Sequence, residues 1–154
     1  MPHLTREDSR AKYAPGTEFA MDMITMNGNT GTYLDAPYHR CEGGGDLASL
    51  DLRTLVGLRA EVFHLRDAWD VERRGIEAVT LADRHLRDAA VLLDTGWSAS
   101  CAHDPARGRR ACRRASDALA EVPAQGARFT AAPPAMCGFG TFPVRAFATV
   151  PASS

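Results

Sequence analysis

Asn27-Gly28-Asn29-Thr30-Gly31-Thr32-Tyr33-Leu34-Asp35-Ala36-Pro37-Tyr38-His39 is the stretch on which the reading of this chain turns. Asn, Thr, Asp and His crowd into it, and it closes on Ala-Pro-Tyr-His. Gly28 and Gly31 permit tight backbone. Pro37 fixes one dihedral and biases Ala36 toward an extended form. If the segment is extended, Tyr33 and Asp35 share one face, and Thr32, Leu34 and Ala36 take the other. His39 then follows the proline turn. A carboxylate and an imidazole on a rigid turn suit a metal or a general base. The plainer reading is an Asp-capped loop, because Asn, Gly, Asp and Pro are ordinary turn residues.

Length and composition bound the rest. At 154 residues the chain is one domain's worth, long enough for a real core. Its 45% hydrophobic and 24% charged residues are those of a globular protein. A net charge of -1 gives no reason to expect nucleic acid as a partner. The first eight residues are charged and lack the apolar core of a secretory signal, and no run reaches the length of a membrane span. The expectation is a cytoplasmic protein that meets no membrane. Cys41, Cys101, Cys112 and Cys137 form no CxxC pair, so reduced thiols are expected.

Outward from the motif, residues 1–18 read as polar and loosely ordered, with a turn at Ala14-Pro15-Gly16. Phe19 to Met26 reads as a core strand, with Phe19, Met21 and Met23 alternating. Asp46 is placed to cap a short turn through Leu47 and Leu50. Ala60 to Leu65 reads as a strand in which His64 is structural. Thr80 to Leu86 has a helical pattern, with His85 on a solvated face. Ala89 to Ser98 reads as a buried strand running into a polar turn. Residues 99–118 lack hydrophobic periodicity and carry five arginines between 107 and 114; such a basic run can bind phosphate or nucleic acid, but this one reads as a solvated linker or weak helix.

The central stretch resembles the signature of the cyclase family that includes the bacterial kynurenine formamidases, His-x-Gly-Thr-His-x-Asp-x-Pro-x-His. Gly31, Thr32, Asp35, Pro37 and His39 match in register, while Asn29 and Tyr33 stand where the family has its first two histidines. Thr95-Gly96-Trp97 also resembles the end of a family strand, Leu119 to Pro123 with Ala127 to Pro134 resembles its C-terminal strand, and Gly138 to Ala148 resembles its glycine-rich turn and last strand, so the likeness covers roughly 19–98 and 119–150. It implies an α/β fold, a mixed β-sheet with flanking helices of the swivelling β/β/α type. The centre is reduced, and 1–154 form a single domain in which the 99–118 linker replaces a longer segment. It implies a homodimer and a hydrolase cleaving an aryl formamide or related small-molecule amide, as in tryptophan catabolism. The implied cofactor is a divalent metal, zinc or manganese, held by Asp35 and His39. His39, Asp35 and Tyr33 are the catalytic candidates: His39 is base or ligand, Asp35 ligand or orienter of His39, and Tyr33 polarises the carbonyl. Asn29, Thr32 and Trp97 are the substrate-binding candidates. The family's later Glu ligand falls at or near Arg114, whose guanidinium repels a cation. A binding protein without turnover and a shortened product without function are the alternatives.

Overall fold

The computed structural model describes residues 2–66, 75–96 and 118–152. The linker at 99–118, with Arg114, therefore lies outside the described residues except for its last residue, as does Trp97. Among the described residues no helix is long and apolar enough to cross a membrane.

Four strands make the main sheet. β4 (Leu58–His64) lies at its centre, parallel to β5 (Ala89–Asp94). On its other side β4 pairs antiparallel with β6 (Arg128–Ala132), which pairs antiparallel with β8 (Arg145–Thr149). The order is β5-β4-β6-β8, so the sheet is mixed, as expected. Alternation along β4 explains its central place. Ala60 and Val62 are fully buried on one face, against Ala127, Leu92, Leu119, Val122 and Phe129. The opposite face carries Glu61 and Phe63, also buried. A strand buried on both faces reads as a near-continuous run rather than an alternating one.

Two smaller ribbons flank this sheet. β1 (Pro2–Leu4) pairs with β2 (Met21–Asp22), and β3 (Tyr33–Asp35) pairs antiparallel with β7 (Thr141–Pro143).

Several expectations need correction. The N-terminal segment is ordered: α1 (Arg6–Lys12) is capped by Thr5, whose hydroxyl accepts from the Asp8 N–H at 3.1 Å. Ser9 is buried in it, and its Oγ accepts from Phe19 N–H, tying α1 to the chain ahead. The Met-rich stretch forms only two residues of strand, and Met21, Met23, Ile24 and Met26 are exposed rather than core. The ribbon is two strands, β1 and β2, and among the described residues no second layer covers these side chains. The helix expected from Thr80 is a short 3-10 turn at Ala78–Leu81. Strand β5 is not buried throughout; Val91 and Leu93, which share one face of the sheet, are exposed. Where a glycine-rich turn and one last strand were expected in Gly138 to Ala148, there are two strands, β7 and β8, and Val144 between them sends each to a different partner. Among the described residues the helical structure is α1, the 3-10 turns and residues 118–120, which are helical where Leu119 onward was expected to be strand.

Candidate functional site

The motif is presented on the β3–β7 ribbon. Tyr33 faces Pro143, Leu34 faces Phe142 and Asp35 faces Thr141. The ladder continues at both ends: Val144 N–H donates to the Thr32 carbonyl at 2.8 Å, and Ala36 N–H to the Gly140 carbonyl at 2.7 Å. The pleat puts Tyr33 and Asp35 on one face, as the spacing predicts, and Thr32 on the side of Leu34. The substrate-binding candidate Thr32 is thus turned away from Asp35, its carbonyl taken by the ladder.

Ala36 is buried and ends the strand. Pro37–His39 then forms one 3-10 turn, with His39 N–H bonded to the Ala36 carbonyl at 2.9 Å. Proline suits the first turn position, where no N–H is needed. Gly140 packs against this turn from behind. A Cβ on Gly140 would stand 2.7 Å from His39 N and Cα, so only glycine fits. Gly28 is equally constrained: its Cβ would meet the Thr141 carbonyl oxygen at 2.6 Å.

A second clamp holds the 136–140 loop in place. Asp46 accepts from Gly138 N–H at 2.7 Å and from Ser49 N–H at 3.1 Å, the cap anticipated from sequence. The Gly138 N–H, with help from Ser49, holds the Asp46 carboxyl below the usual carboxylate range. Leu47 N–H donates to the Phe139 carbonyl beside it at 3.0 Å. Backbone geometry around His39 is therefore fixed on two sides. Sequence reasoning found Asp46 as a cap but not as the anchor of a loop ninety-two residues away. Gly140 and Thr141 escaped it as well, since close approach leaves no periodic signal.

The side chains themselves are open. Asp35, His39, Asn29 and Thr32 are exposed, and Tyr33 is 44% exposed. Among the described residues, Asp35 and His39 make no hydrogen bond to each other or to anything else through their side chains. The expectation that Asp35 orients His39 is not met.

The donor set does not fit a divalent metal. Among the described residues no three His, Cys, Asp or Glu side chains converge as a metal site needs. Within residues 27–39 the only such side chains are Asp35 and His39. Where the family signature has two further histidines, Asn29 and Tyr33 offer neutral oxygen, and the buried polar atom without a partner beside Asp35 is a hydroxyl, Thr141 Oγ1.

The remaining buried charges lie in the main sheet and are paired. Asp94 is held by Arg66 Nε at 2.8 and 2.9 Å and faces His64 Nδ1 at 3.3 Å. Burial pushes its carboxyl up, but the hydrogen bonds from Arg66 and His64 outweigh this and leave it below the usual range. His64 Nε2 faces the Val122 carbonyl at 3.2 Å, so this histidine is structural, as expected.

A mixed sheet, a glycine-backed proline turn and an Asp-x-Pro-x-His presentation define the class of this chain. The family described as "Putative cyclase" matches residues 2–135, and the chain belongs to it. Among solved structures, it is similar to one described as "The Structure Of Potential Metal-Dependent Hydrolase With Cyclase Activity". That protein is 20% identical, with 80% of each chain covered and a TM-score of 0.49. No curated protein sequence matches.

Proposed function

We propose that the chain is a hydrolase of the cyclase and kynurenine formamidase type, cleaving the C–N bond of an aryl formamide. The observation that carries this is the family match over residues 2–135 together with an exposed Asp35 and His39 on a braced turn. His39 takes the proton from an attacking water, a contribution of about 10²- to 10⁴-fold. The Tyr33 hydroxyl and Asn29 amide donate to the carbonyl oxygen as it gains charge. Water adds across the C–N bond, the proton passes to the leaving nitrogen, and amine and formate depart. The resemblance further implies the swivelling β/β/α arrangement, a homodimer, a cytoplasmic setting and a place in tryptophan catabolism. It also implies zinc or manganese, which the described donors do not fit. The steps above use only the chain's own groups.

The test is hydrolysis of formanilide and N-formylkynurenine by wild type and His39→Ala, with metal content by elemental analysis. Turnover lost in His39→Ala supports the reading. No turnover of either substrate overturns it. Near-stoichiometric zinc or manganese that disappears in Asp35→Ala would show that ligands outside the described residues complete a metal site, and would replace the metal-free steps. A second reading, ligand binding without turnover, is favoured by the two-donor motif. Binding of an aryl amide without hydrolysis separates it from the first.

A further inference from the structure

The turn that leads into the motif closes on one carbonyl. Thr30 N–H donates to the Asn27 main-chain oxygen at 3.2 Å, and the Thr30 hydroxyl donates to the same oxygen at 2.7 Å. Gly28 N–H, on the other side of that peptide bond, donates to nothing among the described residues. The Asn27 side chain is exposed and likewise has no partner there. Gly28 has no side chain to screen its nitrogen from the Asn27 side-chain amide. Amide resonance means that a Gly28 nitrogen losing its proton passes charge to the Asn27 oxygen. Two donors are already aimed at that oxygen, and fixed donors at a site of developing charge favour the step that develops it.

We propose that Asn27 is a self-modifying site, converted through a succinimide to aspartate and isoaspartate, and that the conversion displaces the motif behind it. Gly28 N gives its proton to hydroxide and attacks Asn27 Cγ. The N–Cγ bond forms, the Cγ–Nδ2 bond breaks, and Nδ2 leaves as ammonia with a proton from water. Solvent water then opens the ring. Attack at Cγ leaves an aspartate. Attack at the main-chain carbon leaves isoaspartate, with the backbone routed through Cβ and the α-carboxylate free. Either product adds a negative charge, and isoaspartate also lengthens the main chain. Gly28 has no room to take up that length toward β7, because its Cβ position already lies 2.6 Å from the Thr141 oxygen. The added length therefore passes into 29–35, which carries Asn29, Tyr33 and Asp35. The chemistry at Asn27 is independent of the hydrolase reading; only a loss of turnover would rest on it.

The experiment is incubation of the full chain at mildly alkaline pH in water labelled with heavy oxygen, followed by peptide mapping. Asn27 and Asn29 are the chain's asparagines and only Asn27 precedes a glycine, so the label can be assigned without ambiguity. Wild type, Thr30→Val, Thr30→Ser and Asn27→Gln are each followed folded and in concentrated urea. Label should enter at residue 27, and folded wild type should convert at least as fast as the chain in urea. Thr30→Val loses the hydroxyl donor and should slow the folded rate about fivefold, leaving the rate in urea unchanged. Thr30→Ser keeps the hydroxyl and should convert like wild type. Asn27→Gln, which cannot form the succinimide, should take up no label there. Slower conversion in the folded chain than in urea would mean that the turn restrains the reaction, and would overturn the proposal. No label at residue 27, or equal slowing of Thr30→Val in both states, would overturn it too. The ring NMR signals of Tyr33 and His39 should shift in step with conversion; unmoved signals in converted protein would overturn the displacement of the motif. Formanilide turnover on the same samples tests the hydrolase reading separately. Its absence in fresh protein sinks that reading alone, since label and ring shifts are read without it.

Discussion

At the main sheet, Glu61 and Asp94 are 2% and 4% exposed, and each is held by several partners. Glu61 takes Gln125 Nε2 at 3.0 Å, Arg59 Nη1, and Arg84 at 3.6 Å. Arg84 in turn lies over the Phe63 ring at 4.3 Å and donates to the Val62 and Ala124 carbonyls. On the β3–β7 ribbon, Asp35 is exposed and has no partner among the described residues. Both regions hold carboxylates on strands, yet only one has its charges satisfied from within. A paired, buried charge holds strands together and has nothing left to give a ligand. An unpaired one on braced backbone contributes little to the fold and is free for chemistry. The difference marks where function resides more clearly than residue type does.

The largest effect should come from the satisfied region. Glu61→Ala leaves Arg59 and Arg84 without their carboxylate, and breaking a buried pair costs about 3–5 kcal/mol. Urea unfolding checks it; a loss below about 1 kcal/mol would show that the network relaxes into water and would weaken the contrast. Acid tests the same charges without mutation. Hydrogen bonding from Gln125, helped by Arg59 and Arg84, holds the Glu61 carboxyl below its ordinary value, and Asp94 is lowered as well. Folding therefore favours the ionised forms. Their contribution is complete above the unfolded pKa values, about 4, and is lost as pH falls through the lower folded values. Unfolding midpoints should thus be flat near pH 7 and fall below about pH 4. The Glu61→Ala variant should show a shallower fall.

How far the sequence carried this picture depends on which residues leave a pattern. The two-residue period in Tyr33-Leu34-Asp35 and the proline at 37 were enough to place the motif on a strand and a turn. The Ala60 to Leu65 strand was legible through its apolar run, and Arg128 to Ala132 only through the family resemblance. Helix α1 was not, because seven residues burying only Ser9 have no hydrophobic stripe. Its Thr5 and Asp8, paired at 2.6 Å, were a readable capping signal. The Met-rich stretch misled, since apolar character says what a strand could bury and not whether a layer exists to bury it. Contacts between distant loops, Asp46 with Gly138 or Gly140 with His39, have no local signature.

A middle-sized effect should separate the bracing from the charges. Gly140→Ala forces a Cβ to within 2.7 Å of backbone at His39, where nothing flexible can yield. Overpacking of this kind costs about 1–3 kcal/mol and displaces the turn that carries His39. Gly75→Ala is the control, because among the described residues no atom beyond its chain neighbours lies within 4 Å of its Cβ position. It should change stability by less than about 0.5 kcal/mol. Equal effects from the two, measured by urea unfolding, would mean that close packing behind His39 does not fix the site.

The smallest effect on folding, and the one that bears hardest on the comparison, belongs to Asp35→Ala and His39→Ala. Both side chains are exposed and unpaired among the described residues, so each substitution should shift stability by less than about 0.5 kcal/mol. Their effect on aryl formamide hydrolysis should be large, with His39→Ala removing about 10²-fold or more of the rate. If either variant instead unfolded as readily as Glu61→Ala, the motif charges would be structural and the two regions would not differ in kind. If both folded normally and hydrolysis were unchanged, the motif would be only a capped turn. Folded variants with hydrolysis lost would place the chemistry on the ribbon, because a group that the fold does not need is then one that the reaction does.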